Sequence, residues 1–99
     1  MLRTEAHARF HAQATLVVVV AGFWVDLDRM EWVAIVLTIA AVWSLEAVNT
    51  AIEAICDRVS PEHHELIGIA KDVAAGAVLA AAIAAVLVAV LIFGPHLVG

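Results

Sequence analysis

Apolar residues fall in three blocks, 12–25, 32–45 and 73–93, separated by short polar interruptions. Only the last is long enough by itself to cross a hydrocarbon core of about 30 Å, which takes about 20 helical residues at 1.5 Å each. To match it, the first block must reach back through His11 and Arg9 to about residue 6, and the second must run forward through Glu46 and Asn49 to about residue 51. The pattern predicts an all-α integral membrane chain with three transmembrane helices, at about 5–26, 31–58 and 61–94, in one domain over 1–99. Two of the three helices then carry polar groups into or near lipid.

The interruptions read as turns. Asp26-Leu27-Asp28-Arg29 breaks the first block, and Ser60-Pro61-Glu62 offers an N-cap, a proline at the first helical position and an early acid. Arg3, Arg9, Arg58 and Lys71 lie near span ends on one side and only Arg29 on the other, which predicts a cytoplasmic N-terminus and second loop. Trp24 and Trp32 flank the opposite turn, where an interfacial aromatic belt belongs. A cleaved signal peptide would also begin with Arg3 and Arg9, but no clear small-x-small cleavage site follows the apolar run before Asp26.

Composition narrows the field further. The chain is 65% apolar, against roughly 45–50% for soluble domains. Ten acidic residues against five basic ones give a net charge of −5 with no basic run, so nucleic acid is not an expected partner. The single Cys56 excludes a disulfide framework and a thiolate metal site. A chain of 99 residues cannot wrap a private core around a large binding site, which favours oligomerisation.

Polar residues inside the spans carry the chemistry. Counting back from Asp26, forward from Trp32 and inward from Lys71 puts Glu5, Glu53 and Asp72 at one membrane depth, with Glu46 about two turns deeper. Glu46, Asn49, Glu53 and Asp57 are spaced by three, four and four, confining them to a helical stripe about 80° wide. His64, Gly68, Lys71, Asp72 and Ala75 share a sector of the third helix, about 100° wide by the same arithmetic. An intramembrane carboxylate costs a few kcal/mol on insertion scales, so such groups face a bundle interior and serve a purpose. The plainer readings are solvation for Asp57, Arg58, Glu62 and Glu65, and snorkelling to headgroup phosphates for Arg9. His7, His11 and His63 have no assignable partner, and His96 reads as incidental.

Carboxylate oxygens at a membrane boundary suit Mg²⁺ rather than zinc. Phosphoryl transfer needs a metal, a balancing cation and a base for the acceptor hydroxyl, roles that fit Glu5 with Glu53, Lys71 and Glu46 respectively. No P-loop is present to hold a nucleotide. A small oligomeric proton-coupled or cation transporter using Glu46 is the competing reading, but it calls for polar groups through the whole bilayer and the third span is unbroken.

The segment Glu46-Ala-Val-Asn49-Thr50-Ala-Ile-Glu53, followed by Asp57-Arg58, His64-Glu65 and Ala70-Lys71-Asp72-Val-Ala-Ala-Gly-Ala-Val78, resembles the signature of the prokaryotic diacylglycerol kinase and undecaprenol kinase family. The resemblance runs from about Glu5 to Pro95, with E-x-x-N-T-A-I-E and A-K-D in order and at the expected separation. It implies a homotrimer of three-span subunits in the bacterial inner (cytoplasmic) membrane. Composite active sites at the cytoplasmic boundary would use MgATP to phosphorylate a lipid alcohol, undecaprenol or diacylglycerol. It also implies Glu5 and Glu53 as Mg²⁺ ligands, Glu46 as catalytic base, and Asn49, Glu53, Gly68, Lys71 and Asp72 as nucleotide contacts. Arg9 matches a basic residue of the first-helix motif and joins the nucleotide-binding set. Family members usually carry an amphipathic surface helix ahead of the position of Glu5, where this chain has Met1 to Thr4. The Ala-Lys-Asp-Val-Ala-Ala-Gly-Ala-Val stretch is more similar to the undecaprenol kinase branch, which favours undecaprenol as acceptor.

Overall fold

The computed structural model describes the backbone of residues 2–59 and 65–98, and side chains over 9–59 and 65–98. All of it is helical apart from one turn: α1 (Leu2–Val25), α2 (Arg29–Val59) and α3 (Glu65–Val98). α2 and α3 are each long and apolar enough to cross a membrane, while the apolar part of α1, Arg9–Val25, is shorter. The bundle measures 54 × 22 × 19 Å. Its length exceeds a hydrocarbon core of about 30 Å.

Burial identifies the solvent. Leu27, Ile35, Cys56 and Ala74 are the buried apolar residues among those described, whereas Leu16, Phe23, Leu37, Leu79, Val86 and Leu91 are all exposed. Water would not tolerate a surface of that kind; lipid tails and neighbouring protein copies would. The chain is a membrane protein.

α2 and α3 pack as an antiparallel hairpin along their length. Ile35, Thr38, Val42, Leu45, Asn49, Ile52 and Cys56 are buried or half-buried at alternating spacings of three and four. On α3 the matching row is Ile67, Lys71, Ala74, Val78, Ala81, Ala85, Val88 and Ile92. An average spacing of 3.5 keeps each row on the seam between two helices, and the alanines let the backbones approach closely, which is how helices associate without a hydrophobic driving force. α1 lies against this hairpin more sparsely, through His11, Thr15, Val18, Gly22 and Val25. The expected helix start at Ser60-Pro61-Glu62, with His63 and His64, lies outside the described residues.

α3 runs on through Pro95 to Val98, beyond the expected end near residue 94. Proline here removes only one hydrogen bond of the final turn. One residue on, His96 Nε2 lies 2.9 and 3.1 Å from the two carboxylate oxygens of Glu31 at the start of α2. His96 thus ties the far end of α3 to α2.

The turn between α1 and α2 sets how α1 meets the hairpin. Leu27 N–H donates to the carbonyl of Gly22 at 3.1 Å, and Asp26 between them has φ 60°, which together make a Schellman-type stop. α2 then opens on a reciprocal capping box, in which Glu31 N–H donates to Asp28 Oδ1 at 2.8 Å and Asp28 N–H donates to Glu31 Oε1 at 3.0 Å. Trp32 folds back over Gly22, so that a Cβ on Gly22 would stand 2.6 Å from Trp32 Cη2 and 3.0 Å from Leu27 Cδ1. Trp32 is held there by Phe23, ring centroids 4.9 Å apart. Alanine in place of a helical glycine ordinarily stabilises by about 0.5–1 kcal/mol, but overpacking costs about 1–3 kcal/mol. The second effect should win, so Gly22→Ala is expected to lower the melting temperature in detergent. A raised melting temperature would show that Trp32 moves aside freely.

Candidate active site

The polar stripe of α2 grades from sheltered to open as it leaves the bundle. The Glu46 side chain is 15% exposed, Asn49 and Glu53 are half-buried, and Asp57 is 68% exposed. Helical period alone places these residues on one face; the packing of α1 and α3 on either side determines how deep each sits. Asn49 contributes the orphan of the set, because its Oδ1 is buried without a hydrogen-bond partner. A buried amide oxygen left unpaired costs about 1–3 kcal/mol and calls for a donor from outside the described residues.

α1 reaches the deep end of the stripe. His11 Nε2 lies 3.3 Å from Glu46 Oε2, and one turn further along, Trp43 Nε1–H donates to Thr15 Oγ1 at 3.0 Å. These two pairs fix an antiparallel register in which the backbone of Glu5 comes opposite Ile52 and Glu53. The side chain of Glu5, like that of His7, lies outside the described residues. Arg9 is exposed.

α3 supplies the cation. Lys71 Nζ donates to Asp57 Oδ1 at 2.7 Å, joining the outer ends of α2 and α3 by an ion pair open to solvent. With His96 opposite Glu31 at the other end, this register sets Asp72 two to three residues outward of the level of Glu53, roughly 3–5 Å at the helical rise. Asp72 is exposed, and it turns off the α2 seam that Lys71 joins, while Gly68 is half-buried. Within one subunit, then, Glu46, Asn49, Glu53 and Lys71 share the α2 face or its edge, and Arg9 and Asp72 point elsewhere.

Among the described residues no group of three His, Cys, Asp or Glu side chains converges to hold a metal. Sequence reasoning gave His11 no partner, although a signal was available. His11 follows Glu5 by six residues and Glu46 precedes Glu53 by seven, so equal depth for one pair implies equal depth for the other.

The arrangement offers oxygen donors for a hard cation, a lysine at the open end and a sheltered carboxylate about two turns deeper. A model of the family described as prokaryotic diacylglycerol kinase matches residues 1–93. The chain is 45% identical over 95 residues to the undecaprenol kinase of Bacillus subtilis (strain 168), an overlap of 96% of this chain and 77% of that protein. It is 39% identical over 92 residues to the diacylglycerol kinase of Escherichia coli (strain K12), covering 93% and 75%. It is 43% identical over 86 residues to the diacylglycerol kinase of Synechocystis sp. (strain ATCC 27184 / PCC 6803 / Kazusa), covering 86% and 49%.

Proposed function

The chain belongs to the prokaryotic diacylglycerol kinase family, and on that premise we propose that this lipid kinase transfers the γ-phosphoryl group of MgATP to undecaprenol in preference to diacylglycerol. The observation that carries the chemistry is the Glu46, Asn49 and Glu53 face, half-buried at one end of an otherwise apolar bundle. Glu46 accepts the proton of the lipid hydroxyl as that oxygen bonds to the γ-phosphorus, and the bond to the bridging oxygen breaks to release ADP. The depth of Glu46 suits a hydroxyl held at the headgroup level. Lys71 balances phosphate charge, and Asn49, Gly68, Asp72 and Arg9 contact nucleotide.

The donor set fits Mg²⁺, which takes carboxylate and amide oxygens and retains waters. Glu5 and Glu53 would hold it, and the orphaned Asn49 Oδ1 is a further hard oxygen on the same face of α2 as Glu53. When bound, the ion neutralises charge on the phosphates. The transport role considered for Glu46 draws no support from a family of kinases.

The active unit is a homotrimer, supported by the exposed apolar faces of all three helices and by Asp72 and Arg9 facing away from their own subunit's polar stripe. Sites shared between subunits would bring them back to it. The basic-residue asymmetry favours a cytoplasmic N-terminus and active site at the bacterial inner membrane. The acceptor preference rests on the Ala70 to Val78 stretch and on identities of 45% to an undecaprenol kinase and 39% to a diacylglycerol kinase. Initial rates with both lipids in one detergent should give the higher kcat/KM for undecaprenol, that ratio being what discrimination means. A preference for diacylglycerol would reverse the acceptor and leave the kinase chemistry standing.

A further inference from the structure

Among the described side chains of α1, His11 meets the sheltered carboxylate of α2. Its Nε2 is 3.3 Å from Glu46 Oε2, and the two side chains are only 21% and 15% exposed. The imidazole is itself held, edge-on to Phe10 with centroids 5.7 Å apart and tilted against Trp43 at 5.8 Å. Trp43 in turn is anchored to Thr15. A ring fixed on two sides presents its N–H in one direction. In the tautomer that carries its proton on Nε2, that N–H donates to one carboxylate oxygen of Glu46 and fixes the plane of the carboxylate.

We propose that His11 is a positioning residue for the phosphoryl transfer: its Nε2–H donates to Glu46 Oε2 and holds that carboxylate oriented for the lipid hydroxyl, while α1 carries it at the level where headgroup and phosphate meet. This rests on the reading of Glu46 as the base. A role of this kind appears in turnover rather than in nucleotide affinity, because MgATP has no need of the Glu46 carboxylate.

The test compares the full chain in lipid micelles with His11→Leu, His11→Gln, Glu46→Gln and the His11→Leu/Glu46→Gln double variant, following kcat, KM for MgATP and oligomeric state. His11→Leu is expected to lower kcat by about 10- to 100-fold, as lost orientation or a lost supporting partner does, with KM for MgATP unchanged. His11→Gln keeps a donor of similar reach and should recover most of the rate. The double variant should be no slower than Glu46→Gln alone, since the two residues act as one unit. The proposal is overturned if a folded His11→Leu protein turns over at the wild-type rate, if His11→Gln is as slow as His11→Leu, or if the double variant is slower by the full factor of His11→Leu. Should the leucine variant fail to assemble, His11→Asn, polar but too short to reach Oε2, carries the same expectation and the same refutation. A Glu46→Gln enzyme at the wild-type rate would instead defeat the assignment of the base. A slow Glu46→Gln with a fast His11→Leu defeats the positioning role alone.

Discussion

Glu46→Gln is expected to lower kcat by about 10²–10⁴-fold, the usual worth of a general base, while MgATP binding and assembly stay as they are. The substitution is nearly isosteric. Its amide oxygen can still accept from His11 Nε2–H across the 3.3 Å contact, so the seam between α1 and α2 survives and only the basic oxygen is lost. Because the Glu46 side chain is 15% exposed, removing it altogether would confuse catalysis with packing, which makes glutamine the informative replacement. Turnover, nucleotide binding and oligomeric state should be measured on one preparation. A variant that binds MgATP normally and still turns over near the wild-type rate rules Glu46 out as the base. Loss of assembly or thermal stability in step with activity would make it a structural residue.

The second large effect is expected at the metal. Glu5→Gln and Glu53→Gln should each raise the Mg²⁺ concentration needed for half-maximal rate by more than about tenfold, since losing even an outer partner of a metal ligand costs 10–100-fold. The two belong together because the register set by His11 with Glu46 and Thr15 with Trp43 brings the Glu5 backbone opposite Glu53, and because Mg²⁺ prefers oxygen ligands. Part of the lost rate should return at high Mg²⁺, which separates a ligand from a residue that merely shapes the site. Wild-type activity at low Mg²⁺ in both variants would dismiss the assignment. If only Glu53→Gln responds, the metal belongs to α2 without α1.

For a chain this apolar, much is written locally. Block length and composition determined that α2 and α3 are long and apolar enough to cross a membrane, because a helix must satisfy its own backbone in lipid and needs a set length to cross it. The period of the helix placed Glu46, Asn49, Glu53 and Asp57 on one face without reference to any other part of the molecule, and the motif around them identified the family. What periodicity cannot supply is which face of one helix meets which face of another, or at what register. Those depended on the turn at Asp26 to Asp28, where a positive φ and a reciprocal cap set the angle at which α1 returns, and on small residues along the α2–α3 seam. Only the tertiary structure therefore gave His11 its partner in Glu46 and His96 its partner in Glu31. It also turned Asp72 away from the stripe that Lys71 joins and packed Trp32 over Gly22. The His11–Glu46 and His96–Glu31 contacts join residues far apart in the chain, and their energy depends on distances that no local pattern encodes.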